Sequence, residues 1–175
     1  EKHGLEPHPE RGYYRETYRA PAEVQSQRHD GSRAASTAIY FFVTANEPTT
    51  FLHRLVSDEI FHLYDGGPLE IVRLFEDGRW DVAVLGMNLD EGERPQIVIP
   101  AGTWFGTELR VGASHCLVGC TVAPGFDFAD FELRQYDSPE GERIIQADVA
   151  EFLDRSAGKR IVAREQDIPS AWDKN

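Results

Sequence analysis

His53 and Glu59 stand six residues apart in the stretch Phe51-Leu-His-Arg-Leu-Val-Ser-Asp-Glu-Ile-Phe-His62, and Gly66 follows Glu59 by seven. Two chemistries are open to such a pair. An imidazole and a carboxylate both ligate divalent metals, although a catalytic Zn or Fe site needs about three protein ligands. Alternatively, a carboxyl in an apolar pocket has its pKa raised by desolvation and a neighbouring imidazole can share its proton. Together they would then shuttle a proton at a carbon next to a carbonyl. That is the work of an isomerase, epimerase or cyclase. A structural reading stands beside both, with Glu59 as a hydrogen-bond acceptor and His53 as a satisfied core residue.

The elements that must position these residues are strands. Short β-rich runs cover Thr37–Thr44, Phe51–Leu55, Glu59–Asp65, Leu69–Phe75, Trp80–Leu85, Gln96–Ile99, Trp104–Leu109, His115–Ala123 and Phe128–Leu133. Turn chemistry separates them at Asn46-Glu-Pro48, Gly66-Gly-Pro68, Asp77-Gly78, Asp90-Glu-Gly92, Pro100-Ala-Gly102, Gly112 and Pro124-Gly125. Many short strands at regular spacing predict a mainly β sandwich or barrel. The run Ala38-Ile-Tyr-Phe-Phe-Val43 is apolar on both faces, so one face needs a cover beyond the core. A second subunit is the simplest cover, and a homodimer is expected. Asp148 can cap a helix whose stripe is Val149, Phe152 and Leu153 and which Gly158 can end.

Size and charge set the remaining bounds. With 175 residues and 41% apolar content, the chain suits one domain with a hydrophobic core. We divide it into an irregular segment 1–35 that packs on the barrel or on a partner subunit, a barrel 36–134, and an extension 135–175 with a short helix. The net charge of −12 includes acidic blocks at 58–93 and 125–154, which argue against nucleic acid and anionic membranes as partners. No apolar run approaches the ~20 residues that span a bilayer, and the first residues lack a signal core. Cys116 and Cys120, four residues apart on one strand, would be ~13 Å apart, too far for a disulfide. Free thiols fit a cytoplasmic location.

The motifs resemble those of cupins. In the first cupin motif (His-x-His, three or four residues, Glu, six residues, Gly), His53, Glu59 and Gly66 match, and Leu55 stands where the second His belongs. In the second (Pro-x-Gly, two residues, His), Pro100 and Gly102 match, and Phe105 stands at the His position. A closer resemblance covers most of residues 4–133. Gly4-Leu-Glu-Pro-His-Pro-Glu10, Gly12-Tyr-Tyr-Arg-Glu-Thr-Tyr18, Ser57-Asp-Glu-Ile-Phe-His62, Pro100-Ala-Gly-Thr-Trp104 and Val118–Leu133 look like the cupin-5, or DUF985, family. This resemblance implies a double-stranded β-helix jelly roll that is usually dimeric, and for most members no settled activity. Arg11 departs from the glycine expected between Glu10 and Gly12.

Such a barrel has one open mouth, and strand alternation predicts what faces it. If Glu59 points in, so do Phe61 and Leu63, while Ile60, His62 and Tyr64 point out. The expected site therefore has Glu59 and His53 as catalytic groups. Tyr40, Leu55, Phe61, Leu63, Gln96, Trp104 and Phe105 would contact a flat or apolar small molecule. No cofactor is expected, because only His53 and Glu59 remain of the usual ligand set. A divalent metal, should one bind, would take those two. His62 could join them only through a bulge that reversed its phase. Two other functions fit the same residues, a non-catalytic ligand-binding cupin and a metal-dependent oxygenase with a reduced ligand set.

Overall fold

The structure, a computed structural model, describes residues 4–75 and 79–134. A compact unit spans Glu1–Leu133, and the fold is that of this unit. The expected helix at Asp148–Gly158 lies outside the described residues.

In chain order the strands are β1 (Glu6–Pro7), β2 (Tyr13–Arg19), β3 (Glu23–Gln25), β4 (Ser32–Ala34), β5 (Thr37–Thr44), β6 (His53–Leu55), β7 (Asp58–Gly66), β8 (Leu69–Leu74), β9 (Trp80–Leu85), β10 (Gln96–Ile99), β11 (Trp104–Leu109), β12 (His115–Ala123) and β13 (Phe131–Leu133). One sheet runs β1-β2-β5-β12-β7-β10 and the other β13-β6-β11-β8-β9, with β3 and β4 paired apart. The two sheets make the jelly roll that the motifs imply.

The core lies between the sheets. Phe41 and Val43 of β5, Phe61 of β7 and Val118 of β12 meet Ile71 of β8, Leu85 of β9 and Phe105 of β11. β10 displays the alternation most clearly: Ile97 and Ile99 are buried and Gln96 and Val98 exposed. β5, β9, β10, β11 and β12 have the bounds that the sequence predicts. Phe128–Asp130 differs, forming a 3-10 turn, because the Asp127 carboxylate accepts a hydrogen bond from the Ala129 N–H at 2.9 Å and caps it.

The N-terminal residues, expected to be irregular, carry β1 to β4. Pro7 and Gly12 hid this, but Tyr13-Tyr-Arg-Glu-Thr-Tyr18 is rich in strand formers. β2 pairs antiparallel along β5, with Tyr14 opposite Phe41. The preceding turn holds Arg11 at φ 78° and Gly12 at φ 72°. The residue that replaces an expected glycine therefore sits in the left-handed region, where its guanidinium lies 4.1 Å over the Phe51 ring. Gly12 is less replaceable. A Cβ there would sit 2.9 Å from Phe41 Cζ and 3.1 Å from the Phe42 carbonyl oxygen. Gly12→Ala is expected to destabilise the protein by about 2 kcal/mol in denaturant melts, combining left-handed strain with overpacking. Arg11→Gly should stay within about 1 kcal/mol of wild type, because relieved strain offsets the lost ring contact.

On the outer face of β5, Ala38 and Phe42 are half-buried and Tyr40 is exposed. Tyr40 meets Tyr64 edge to face at 6.0 Å. His62 also points outward, with Gln96 Nε2 at 3.1 Å and Thr121 Oγ1 at 3.3 Å. Cys116 and Cys120 are both free and buried on β12. Among the described residues no helix is long and apolar enough to cross a membrane.

Candidate functional site

The site is a cavity of about 300 Å³ at one end of the roll, lined by side chains that include His8, Glu10, Tyr14, His53, Leu55, Glu59 and Cys120. β6 carries His53 and Leu55 into it, and β7 carries Glu59. The wall is apolar, with Ile39, Phe41, Val122, Phe126, Phe128 and Phe131. Phe126 and Phe128 meet edge to face at 5.0 Å, and Phe131 lies 6.1 Å from each.

Glu10 was not among the expected site residues. Its Oε2 lies 2.7 Å from His53 Nε2, with both side chains buried. The backbone explains the precision of this contact. The Phe51 N–H donates to the Glu10 carbonyl at 2.9 Å, and His53 Nδ1 lies 2.9 Å from the Phe51 carbonyl oxygen. One residue of the loop before β6 thus anchors both members of the pair.

That ring of contacts fixes a proton. The Phe51 oxygen can only accept, so His53 Nδ1 carries hydrogen. The Nε2···Oε2 contact must then also hold one proton, since a bare nitrogen lone pair would otherwise face a carboxylate oxygen. Burial opposes charge on His53, but the charge and hydrogen bond of Glu10, with the charge of Glu59, outweigh it and raise its pKa. The pair is therefore best described as imidazolium and carboxylate.

Glu59 faces the same cavity. Burial pushes its pKa up to about 7; the positive charge of His53 opposes this, the charge of Glu10 adds to it, and a hydrogen bond from the Cys120 thiol lowers it somewhat. Cys120 itself is raised well above the ordinary thiol range by burial and by Glu59, so it stays a neutral donor. His8 is held below the usual imidazole range by burial, against the pull of Glu10. Its Nδ1 accepts from the Glu10 N–H at 3.4 Å, which leaves hydrogen on Nε2.

The other expected contacts divide by strand phase. Phe105 pairs in register with His53 and its ring lies 4.1 Å from the imidazole. Phe61 stands edge to face on Phe105 at 5.9 Å. These two and Leu63 are core behind the site, outside the cavity lining. Tyr40, Gln96 and Trp104 do not reach the cavity. Tyr40 and Gln96 lie on the outer face of the first sheet, because their neighbours Phe41 and Ile97 take the inner positions. Trp104 packs under Arg54, 4.8 Å from its ring centroid, since Phe105 occupies the inner phase of β11.

A resident metal does not fit this donor set. Both His53 nitrogens are engaged, Phe105 fills the position where a second imidazole could stand, and Leu55 supplies no donor. Among the described residues, no group of three or more His, Cys, Asp or Glu is arranged to hold a metal ion.

A double-sheet β-roll with a polar floor in one apolar mouth defines a cupin-type protein. The chain belongs to the Cupin_5 family of the cupin superfamily (DUF985), whose model matches residues 1–134. It is 31% identical over 135 residues to an uncharacterized protein of Saccharomyces cerevisiae, an alignment covering 70% of this chain and 67% of the other. Among solved structures, it resembles a hypothetical protein from Leishmania major (TM-score 0.69, 35% identity, 73% of this chain and 80% of that one). A protein from Shewanella oneidensis is similar at TM-score 0.67 and 37% identity, over 75% of this chain and 78% of the other. An oxalate decarboxylase mutant from Bacillus subtilis shares the fold at TM-score 0.54 and 14% identity, over 78% of this chain and 32% of that one.

Proposed function

We propose that this protein is a metal-independent small-molecule enzyme of the isomerase, epimerase or cyclase type, in which Glu59 moves a proton at a carbon beside a carbonyl. One arrangement carries this reading: the buried Glu59 carboxyl, whose pKa burial pushes up to about 7, lines the same small cavity as the proton-sharing Glu10–His53 pair. Ionised Glu59 would take the carbon-bound proton and leave an enolate. Glu59 would then return the proton to another carbon or to the other face. His8, neutral and protonated on Nε2, could donate a hydrogen bond to the oxygen.

The reading is tested by deuterium wash-in from D2O into a panel of cyclic ketones, followed by NMR. Exchange above the buffer rate that disappears in Glu59→Gln supports it. Retained ligand binding with no exchange would identify a non-catalytic binding protein instead.

We also propose that the outer face of the first sheet meets a second copy of the chain. Tyr13, Tyr18, Tyr40, Tyr64 and Val98 are exposed there, a set of large side chains on one sheet face that a second copy would cover. Sedimentation velocity should give a dimer for the wild type and a monomer for Tyr40→Glu; a monomeric wild type would contradict the proposal. Two unbridged, buried thiols suit a reducing compartment such as the cytoplasm.

A further inference from the structure

We infer that the cavity selects an uncharged or positively charged small organic molecule and rejects carboxylates and phosphates. This deepens the proton-transfer reading above and rests on it for the location of the site. The charges lining the cavity are Glu10, Glu16, Glu59 and Asp127 against Arg19 and His53. With His53 protonated, four carboxylates against two cations leave two negative charges, or one when Glu59 holds its proton.

Both cations are already paired with a carboxylate of the cavity. His53 is committed to Glu10 on one nitrogen and to the Phe51 carbonyl on the other. Arg19 stands at the mouth and would be the natural anchor for a carboxylate. Its Nε donates to Glu16 Oε1 at 3.0 Å, its Nη2 to Glu16 Oε2 at 2.7 Å and its Nη1 to the Phe126 carbonyl at 3.2 Å. The fork that would grip a ligand carboxylate is already spent on Glu16. Asp127, fixed by its cap on the Ala129 N–H, adds a further negative charge at the same rim.

An incoming anion would therefore meet like charge at the rim and at the floor, in a cavity whose apolar wall strengthens the repulsion. The wall of Phe126, Phe128 and Phe131 offers ring faces and edges to an apolar body. A cationic group is favoured both by the carboxylates and by these rings. A volume of about 300 Å³ holds a small molecule only, at the low end of the roughly 300–1,000 Å³ range of ligand pockets.

The test compares benzyl alcohol, benzylamine and benzoate, which share one ring and differ in charge, by saturation-transfer NMR and calorimetry on the full chain. Benzoate is expected to bind at least about 10-fold more weakly than the other two. In the double variant Glu16→Gln/Asp127→Asn, which removes the carboxylate that neutralises Arg19 and keeps an Asx cap, benzoate affinity should rise about 10-fold. Benzoate binding as tightly as benzyl alcohol to the wild type would overturn the inference, as would no binding by any of the three at millimolar concentration. Deuterium exchange is read separately. Tight benzoate binding with exchange intact would sink the charge selection alone, and the expected selectivity without exchange would sink only the catalytic reading.

Discussion

Glu59→Gln is expected to leave the fold and ligand affinity intact while slowing proton transfer by roughly 10²–10⁴-fold, the usual contribution of a positioned general base. The amide is isosteric and can still accept from the Cys120 thiol, so packing around β7 is preserved. The same variant should also flatten the pH dependence of stability. Glu59 titrates near 7 when folded against 4.5 as its ordinary value. Between those values the folded chain holds a proton that the unfolded chain has lost. The stability from this group is therefore fully present below pH 4.5 and is lost as pH rises through 7. The gap corresponds to about 3 kcal/mol. The raised pKa of His53 acts in the same direction, its contribution being present below the ordinary imidazole value and lost as pH rises through the folded one. Wild-type protein should thus melt higher at pH 5.5 than at pH 8. Glu59→Gln should show a shallower fall and exceed wild type at pH 8. A wild-type melting temperature that rises over this interval would contradict the assignment.

Substitutions at Glu10 separate the shared proton from the hydrogen bond. In Glu10→Gln, His53 loses its counterion, and burial then favours the neutral ring. Its Nδ1–H stays with the Phe51 carbonyl, while the bare Nε2 can accept from the new amide. The expected cost in stability is about 1 kcal/mol. In Glu10→Ala no partner remains for the buried Nε2, and the expected cost is about 3 kcal/mol. Nitrogen NMR of the side chain should find His53 doubly protonated at pH 7 in wild type and singly protonated in Glu10→Gln. A doubly protonated His53 in that variant would mean that Glu59 alone holds the proton.

Much of this was legible in the chain. The positions of His53, Glu59 and Gly66 carried the fold and half of the polar floor, and strand phase turned His62 outward as found. Glu10 was hidden because it lies far upstream, in a proline-containing stretch with no period of its own. Its only signals were the family-like segment ending at Glu10 and the missing glycine at Arg11, whose φ of 78° marks the turn that aims the carboxylate. Gln96 was legible and misplaced: Ile97 and Ile99 alternate with it and take the inner face. Tyr40 and Trp104 depended on which of two apolar phases turned inward. Pairing of Tyr14 with Phe41, and of His53 with Phe105, decided that, and both are long-range contacts.

The most direct measurement is a carboxyl-carbon NMR titration of the glutamates from pH 4 to 9, in wild type and in Glu59→Gln. One resonance with a midpoint near 7, absent from the variant, is the expected result. A Glu59 carboxyl that titrates near its ordinary value of 4.5 would mean that it is a permanently ionised structural acceptor at neutral pH, and the proton-transfer reading of this cavity would be wrong.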